Sequence, residues 1–114
     1  MKKLNIFIFI VLSFLFLAVV EAGAASRTAL VIGNGAYKSA PLKNPVNDAS
    51  DIAGALNQLG FEVILKTNSD KRTMLNTITQ FGKRLSEANV GLFFFAGHGM
   101  QVRGTNYLIP IGAY

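Results

Sequence analysis

The run from Val90 to Ala96 (VGLFFFA) constrains the fold of this chain more than any other segment. It is apolar at nearly every position, whereas a strand with one wet face alternates apolar and polar residues. A strand of this kind is covered on both faces, as in the middle of a parallel sheet flanked by helices. The run therefore predicts an α/β fold with a buried central strand.

The segments before this run predict alternating strands and helices. Apolar runs at 28–32 and 61–65 are typical of short buried strands. Asn44 and Pro45 predict a capped helix start, and Gly60 predicts the end of that helix. The polar cluster at 68–70 predicts the cap of a second helix. The expected inward stripes are Val46, Ala49, Ala53 and Leu56 in the first helix, and Met74, Ile78, Phe81, Leu85 and Ala88 in the second.

The order strand-helix-strand-helix-strand predicts an open, mainly parallel sheet with helices on both faces. After the central strand, residues 97–99 predict a polar loop, and 107–109 form a last short apolar run. No further helix follows to cover the sheet, so we expect the amino-terminal part of a domain. Its uncovered strand edge would make the isolated chain only marginally stable.

The amino terminus has the three-part pattern of a secretory signal peptide. Lys2 and Lys3 precede an almost wholly apolar stretch at 4–20, and small residues follow, with an Ala-x-Ala at 22–24. We therefore predict a signal peptide at 1–24, cleaved after Ala24, and a partial catalytic domain at 25–114. The chain would then be exported to the periplasm or the extracellular space. An uncleaved membrane anchor is the alternative, because the apolar stretch approaches the length of a membrane span.

Composition excludes several classes of function. The 114 residues include no cysteine and one histidine, so the chain has no disulfide, no thiolate metal site and too few ligands for zinc. The net charge is +5, but the basic residues are scattered rather than clustered in a stripe. Scattered charges are typical of a solvated surface, and we predict no nucleic-acid partner. The sequence indicates no cofactor and no metal.

Three common active-site motifs are incomplete or absent. Gly33 and Gly35 follow a strand, but the dinucleotide fingerprint needs a third glycine where Lys38 stands, and a helix that opens at once. The phosphate-loop motif and the Gly-x-Ser-x-Gly elbow are both absent from the sequence. A small doubly wound ligand-binding domain remains only as an alternative interpretation.

His98 is the candidate catalytic residue. It follows the most buried strand, and open parallel sheets place their reactive groups at the carboxyl ends of strands. Glycines on both sides leave the ring uncrowded, and an imidazole acts as a general acid or base near neutral pH. A structural histidine that bonds to the backbone of its loop is the alternative.

Three segments together resemble the caspase-like cysteine peptidases, and most closely their bacterial and metacaspase branch. They are RTALVIGN at 27–34, LKNPVNDA at 42–49 and FFFAGHG at 93–99. The resemblance covers residues 27–112 and implies a three-layer caspase-like fold, represented here by its amino-terminal part. It also implies a cysteine-histidine dyad that cleaves peptide or protein substrates.

The resemblance implies roles for three residues. His98 matches the catalytic histidine, and Gly99 matches the glycine whose N–H helps to form the oxyanion hole. Asp48 matches an acidic residue of the specificity pocket, which implies cleavage after arginine or lysine. A carboxylate in the first turn of a helix also has a purely structural explanation in the helix dipole. Arg27, at the position of a pocket arginine in aspartate-specific caspases, is better explained as an exposed charge.

The chain departs from the family in one decisive respect. Caspases carry their nucleophilic cysteine about 50 residues beyond the histidine, and only 16 residues follow His98 here. We therefore expect no activity from this chain alone. A secreted, non-catalytic caspase-like module that binds partners is the alternative function, and a membrane is a partner only if the signal segment stays attached. Calcium dependence is common among metacaspases but is not readable from these residues.

Overall fold

The computed structural model describes the backbone of residues 6–19 and the complete residues 26–113. Its strands and helices are β1 (Ile6–Val19), β2 (Arg27–Gly33), α1 (Pro45–Gln58), β3 (Glu62–Thr67), α2 (Lys71–Leu85), β4 (Val90–Val102) and β5 (Thr105–Leu108). The predicted alternation of strands and helices is therefore confirmed from β2 to β4.

The strands form one mixed sheet with the order β1-β4-β2-β3, and β5 also pairs with β4. The neighbouring strands β4, β2 and β3 are parallel, with β3 at the edge of the sheet, whereas β1 and β5 run antiparallel to β4. The chain leaves β2 in one direction to form β3 and then crosses back to form β4. Right-handed crossovers in opposite directions place their helices on opposite faces, which produces three layers.

Each face of the sheet carries its own apolar core. Ala29 and Val31 of β2 face α1, and Leu30 and Ile32 face α2, because successive strand side chains point to opposite sides. The fully buried Phe95 fills the α2 side. A strand that contributes to both cores must be apolar throughout, and this confirms the interpretation of the Val90–Ala96 run.

Helix α1 begins at Pro45, whose ring fits the first helical position. The predicted inward residues Ala49, Ala53 and Leu56 are buried. The prediction that Asn44 caps this helix is wrong. Its backbone is itself helical, with φ −95° and ψ −23°, and its side chain makes no capping hydrogen bond. After the helix, Gly60 adopts φ +86°, the left-handed conformation expected at a glycine stop.

Helix α2 is capped as predicted, because the Asp70 carboxylate accepts a hydrogen bond of 2.8 Å from the Thr73 N–H. Met74 is buried, but the prediction that Ile78 faces inward is wrong, since 43% of its surface is exposed. Ile78 instead lines an open groove between α2 and the β5 segment. Ala88 is buried, but it lies beyond the end of the helix at Leu85.

Strand β4 is longer than predicted. The expected loop at 97–99 is wrong, because β4 continues to Val102 and forms a hairpin with β5, pairing Gly99 with Leu108 and Val102 with Thr105. Arg103 and Gly104, with φ of +50° and +81°, form the two-residue turn. His98 therefore lies inside a strand, two residues past the last pair that β4 forms with β2.

Residues 6–19, within the predicted signal peptide, form β1 and pair with β4 from Ile6↔Val102 to Val19↔Val90. This strand lies on the edge of β4 opposite β2, where the sequence predicted an uncovered edge. Residues 1–5 and 20–25, with the predicted cleavage position after Ala24, lie outside the described residues. Within the described part of the chain, no helix has the length and apolarity needed to cross a bilayer.

Candidate active site

The candidate site lies where the order of the parallel strands reverses. Strand β2 has β3 on one side and β4 on the other, and α1 and α2 leave on opposite faces. This arrangement opens a crevice beyond the carboxyl ends of the strands. The last parallel pair here is Gly33↔Ala96, so the residues just after Gly33 and Ala96 border the crevice.

Gly33 allows α1 to begin directly beside this edge. A Cβ on Gly33 would overlap the Pro45 carbonyl oxygen and would lie 2.6 Å from the Ala49 Cβ. Only glycine permits this approach, which places the first turn of α1 against the end of β2. Asp48 belongs to that first turn and is exposed, with its N–H bonded to the Asn44 carbonyl at 2.9 Å. The structure thus places Asp48 at the same edge of the sheet as His98.

The His98 imidazole is held by a backbone carbonyl. Its Nε2 lies 2.7 Å from the Ala40 carbonyl oxygen, and a carbonyl oxygen only accepts hydrogen bonds. The proton of the neutral ring therefore lies on Nε2, and Nδ1 keeps its lone pair. The residue is only 9% exposed. This is the tautomer of a base that accepts a proton at Nδ1.

The Tyr37 ring supports the imidazole from one side. The two ring centroids are 4.5 Å apart, and the planes are inclined by 60°, a tilted contact of the kind that aromatic rings favour. Tyr37 belongs to the loop between β2 and α1, which also contains Ala40. A single loop therefore supplies both the ring contact and the carbonyl that orient the imidazole.

The backbone of His98 is bonded across a gap between two strands. Just before it, the Asn34 N–H donates to the Ala96 carbonyl at 2.8 Å, which ends the ladder with β2. Just after it, the Ile109 N–H donates to the His98 carbonyl at 3.0 Å, which starts the contact with the β5 segment. Between them, the His98 N–H donates to the Tyr37 hydroxyl at 3.1 Å. The hydroxyl in turn donates to the Ile109 carbonyl at 2.7 Å.

A buried amide ties the same region to the start of α2. The Asn34 Oδ1 accepts from the Ser69 N–H at 2.8 Å, and its Nδ2 lies 3.4 Å from the Ser69 carbonyl and 3.5 Å from the Ile109 carbonyl. Asn34 is completely buried. Within residues 26–113, every buried side-chain nitrogen and oxygen has a hydrogen-bond partner. The region is therefore held by a satisfied polar network.

Gly99, the predicted oxyanion donor, is buried within β4. Neighbouring residues in a strand direct their backbone groups to opposite edges, and the His98 groups face β5 and Tyr37. The Gly99 N–H therefore faces the other edge of β4, where β1 lies with Phe9 opposite Gly99. A substrate carbonyl reaches this N–H only when that stretch of the edge is not paired with β1.

A separate apolar groove of about 550 Å³ lies between α2 and the β5 segment. Met74, Leu75, Ile78, Met100 and Tyr107 are among its lining residues, whereas His98, Asp48 and Ala40 are not. Its size does not make it the candidate site, because its lining is mostly apolar and includes none of the residues that surround His98. Within the described residues, no three potential metal ligands come together.

Sequence reasoning missed four residues of this site: Asn34, Tyr37, Ala40 and Ser69. All act through contacts between residues far apart in the chain, and Ala40 acts through its backbone, so local patterns do not reveal them. One signal was available for Asn34. A polar residue that directly follows a buried strand lies at the ligand-binding edge of a parallel sheet.

Fold and site together define a three-layer α/β domain that carries a buried histidine, with its Nε2 bonded to a backbone carbonyl, at the switch point of its sheet. The chain matches the family model of the caspase domain over residues 26–113 and belongs to the caspase-domain family.

Two curated relatives share 33% identity with this chain over 91 residues. They are the human mucosa-associated lymphoid tissue lymphoma translocation protein 1 and its mouse homolog. The matched region covers 79% of this chain but 11% of each relative, so the chain spans a small part of their length. No solved structure gives a significant match.

Proposed function

We propose that this chain is the histidine-bearing part of an exported, caspase-like cysteine endopeptidase. The observation that carries the proposal is the bond between His98 Nε2 and the Ala40 carbonyl, because it leaves Nδ1 as the proton acceptor. Membership of the caspase-domain family supports a thiol as the partner of that nitrogen.

In the proposed mechanism, His98 Nδ1 removes the proton of a cysteine thiol, and the thiolate attacks the peptide carbonyl. The imidazolium formed in this step then returns its proton to the leaving amine, which yields the acyl-enzyme. The Gly99 N–H would stabilise the negative charge on the carbonyl oxygen. The chain contains no cysteine, so the thiol must come from a segment outside these 114 residues.

Asp48 is the proposed determinant of substrate preference. Its carboxylate is exposed in the first turn of α1, at the same sheet edge as His98. A carboxylate there would bind a guanidinium or ammonium group through charge-assisted hydrogen bonds. We therefore propose cleavage after arginine or lysine.

Export is proposed from the amino terminus. Two lysines, an apolar stretch and small residues at 22–24 form the pattern that secretion machinery recognises. Edman sequencing of the exported protein tests this part, and an amino terminus at Ala25 is expected. A protein that keeps Met1 and sediments with membranes would instead be anchored.

The test of the proposed activity uses an assembly that contains this chain together with a cysteine-bearing segment. His98→Ala should lower kcat by about 10²–10⁴-fold on arginyl and lysyl reporter peptides, the usual contribution of a general acid-base group. Undiminished turnover in this variant would remove His98 from the mechanism.

Asp48→Ala in the same assembly should lower kcat/KM for the basic reporters by about 10–100-fold, as expected for a lost hydrogen bond to a charged group. Asp51→Ala is the matched control, because Asp51 is also exposed on α1 but lies outside its first turn. Equal effects of the two substitutions would indicate general electrostatics rather than a pocket.

A non-catalytic, partner-binding module is the second candidate, and the pairing of Gly99 with β1 favours it, because it occupies the edge of the proposed oxyanion donor. The DNA that follows the codon of Tyr114 separates the two candidates. An in-frame stretch of the Asp-Ala-Cys or Asp-Cys-Cys type supports the peptidase. A stop codon, together with a stable secreted product, supports the binding module.

A further inference from the structure

We propose that Tyr37 is a positioning residue for His98, in which the hydroxyl takes the place of a strand partner and the ring supports the imidazole. The catalytic significance of this positioning rests on the proposed function. The positioning itself is a property of this chain alone, and it is measurable without any activity.

The first argument is the gap along one edge of β4. The ladder with β2 ends at the Ala96 carbonyl, and the contact with the β5 segment begins at the His98 carbonyl. The His98 N–H lies between them, and none of the described strands lies opposite it on this edge. The Tyr37 hydroxyl fills this position, because it accepts from the His98 N–H at 3.1 Å and donates to the Ile109 carbonyl at 2.7 Å. One side chain therefore joins two parts of the sheet at the candidate catalytic residue.

The second argument concerns the loop that orients the ring of His98. Tyr37 and Ala40 lie three residues apart in a loop that is closed by hydrogen bonds from the N–H groups of Tyr37 and Leu42 to the Gly35 carbonyl. Anchoring Tyr37 to β4 therefore also fixes the Ala40 carbonyl that accepts from Nε2. The main chain and the ring of His98 depend on the same tyrosine.

The third argument is that the neighbouring residue leaves room for the hydroxyl. A Cβ on Gly97 would lie 2.7 Å from the Tyr37 oxygen, closer than such atoms approach in proteins. The same Cβ would lie 2.7 Å from the Phe95 Cζ, so a side chain at 97 would displace the tyrosine, the Phe95 ring or both. The glycine before His98 thus admits Tyr37, and this is a role distinct from leaving the imidazole uncrowded.

The hydroxyl also stays protonated under the conditions in which a peptidase works. Burial raises the pKa of Tyr37 above its usual value of 10.0, and this effect outweighs the bonds to His98 and Asn34 that lower it. The O–H therefore remains available as a donor to the Ile109 carbonyl throughout the neutral range. The bridge does not act as a pH switch there.

The test uses the complete chain labelled with ¹⁵N. His98 is the chain's lone histidine, so its ring signals are unambiguous. In the unmodified chain, the ring ¹⁵N shifts should report mainly the Nε2–H tautomer, and the His98 amide should exchange as slowly as the amides of the β2–β4 ladder. Tyr37→Phe keeps the ring but removes the bridge. It should accelerate exchange of the His98 amide by about tenfold or more and shift the tautomer ratio towards Nδ1–H.

Two controls separate positioning from general stability. Tyr107→Phe removes a hydroxyl from a half-exposed ring on β5. It should change neither the exchange rate of the His98 amide nor the tautomer ratio of the imidazole. Ile64→Val lowers stability from within the α2-side core and should leave the tautomer ratio unchanged. A purely structural role of Tyr37 would lower the melting temperature without changing the tautomer.

A folded Tyr37→Phe variant with the original tautomer ratio and the original His98 exchange rate would overturn the proposal. If this variant does not fold, the unmodified chain decides the question. There, rapid exchange of the His98 amide would overturn the proposal, and protection without an opposing strand would support it. Both readouts are independent of the fate of the proposed peptidase activity.

Discussion

The two halves of β4 lie in one strand but are held by different forces. From Val90 to Ala96, the strand is covered by apolar cores on both faces and pairs with β2 without interruption. Beyond Ala96, β2 no longer pairs with β4, and hydrogen bonds of the His98 backbone with Tyr37 and Ile109 hold this edge until the hairpin with β5 begins. The first half tolerates poorly any substitution that changes the shape of a buried side chain, but it needs no specific polar partner. The second half depends on each donor and acceptor, and it contains the candidate catalytic histidine.

The largest expected effect is in the apolar half. Phe95 is completely buried in the α2-side core, and Phe95→Ala should destabilise the chain by about 3–5 kcal/mol because it leaves a cavity. Urea unfolding followed by circular dichroism measures this loss. The half-exposed Tyr107→Ala is the control and should stay within about 0.5 kcal/mol of the unmodified chain. A small effect at Phe95 would show that the core is not well packed.

An intermediate effect is expected in the polar half. Asn34→Ala removes the acceptor of the buried Ser69 N–H, and an unsatisfied buried group costs about 1–3 kcal/mol. Asn57→Ala, at an exposed position of α1, is the matched control. Thermal unfolding compares the two variants. If the two variants have the same melting temperature, the polar network does not hold this half of the strand.

The smallest effect is expected at the exposed end of the polar network. Asp70 caps α2, and its backbone forms an isolated parallel β-bridge with Ile111. Its bonds to Thr73 hold the pKa of the carboxyl below its usual value of 3.8. A lowered folded-state pKa means that this contribution is present above pH 3.8 and is lost as the pH falls through the folded-state value.

Asp70→Ala should therefore lower the melting temperature slightly at pH 7, and the difference from the unmodified chain should shrink below pH 4. Asp70→Asn, which retains the capping oxygen, should show a smaller loss and less dependence on pH. A difference that stays constant between pH 7 and pH 3 would contradict the assigned capping role.

The sequence predicted the apolar half well, because its signals are local. Periodicity placed the α1 stripe, Gly60 marked the end of that helix, and the unbroken apolar run identified the central strand. Hydrophobic burial leaves such repeating marks in a sequence.

The polar half was predicted less well, because its partners are distant in the chain. Glycines and a histidine at 97–99 are typical of a loop, yet tertiary hydrogen bonds keep them in a strand. Tyr37 and His98 are 61 residues apart, and Tyr37 and Ile109 are 72 apart. His98 itself could be proposed from the sequence, because its residue type and its position after a buried strand are local features. Its supporting residues were not.

The pairing of β1 with β4 has a consequence for the order of events during synthesis. Val19 and its partner Val90 are 71 residues apart, and ribosomes add about 5–20 residues per second. The amino-terminal stretch therefore waits roughly 4–14 s before its partner strand has even been made. During this interval, a cellular factor that binds apolar nascent segments can bind this stretch without competition from β4. Recognition of the proposed export signal would therefore take place before its pairing with β4 becomes possible.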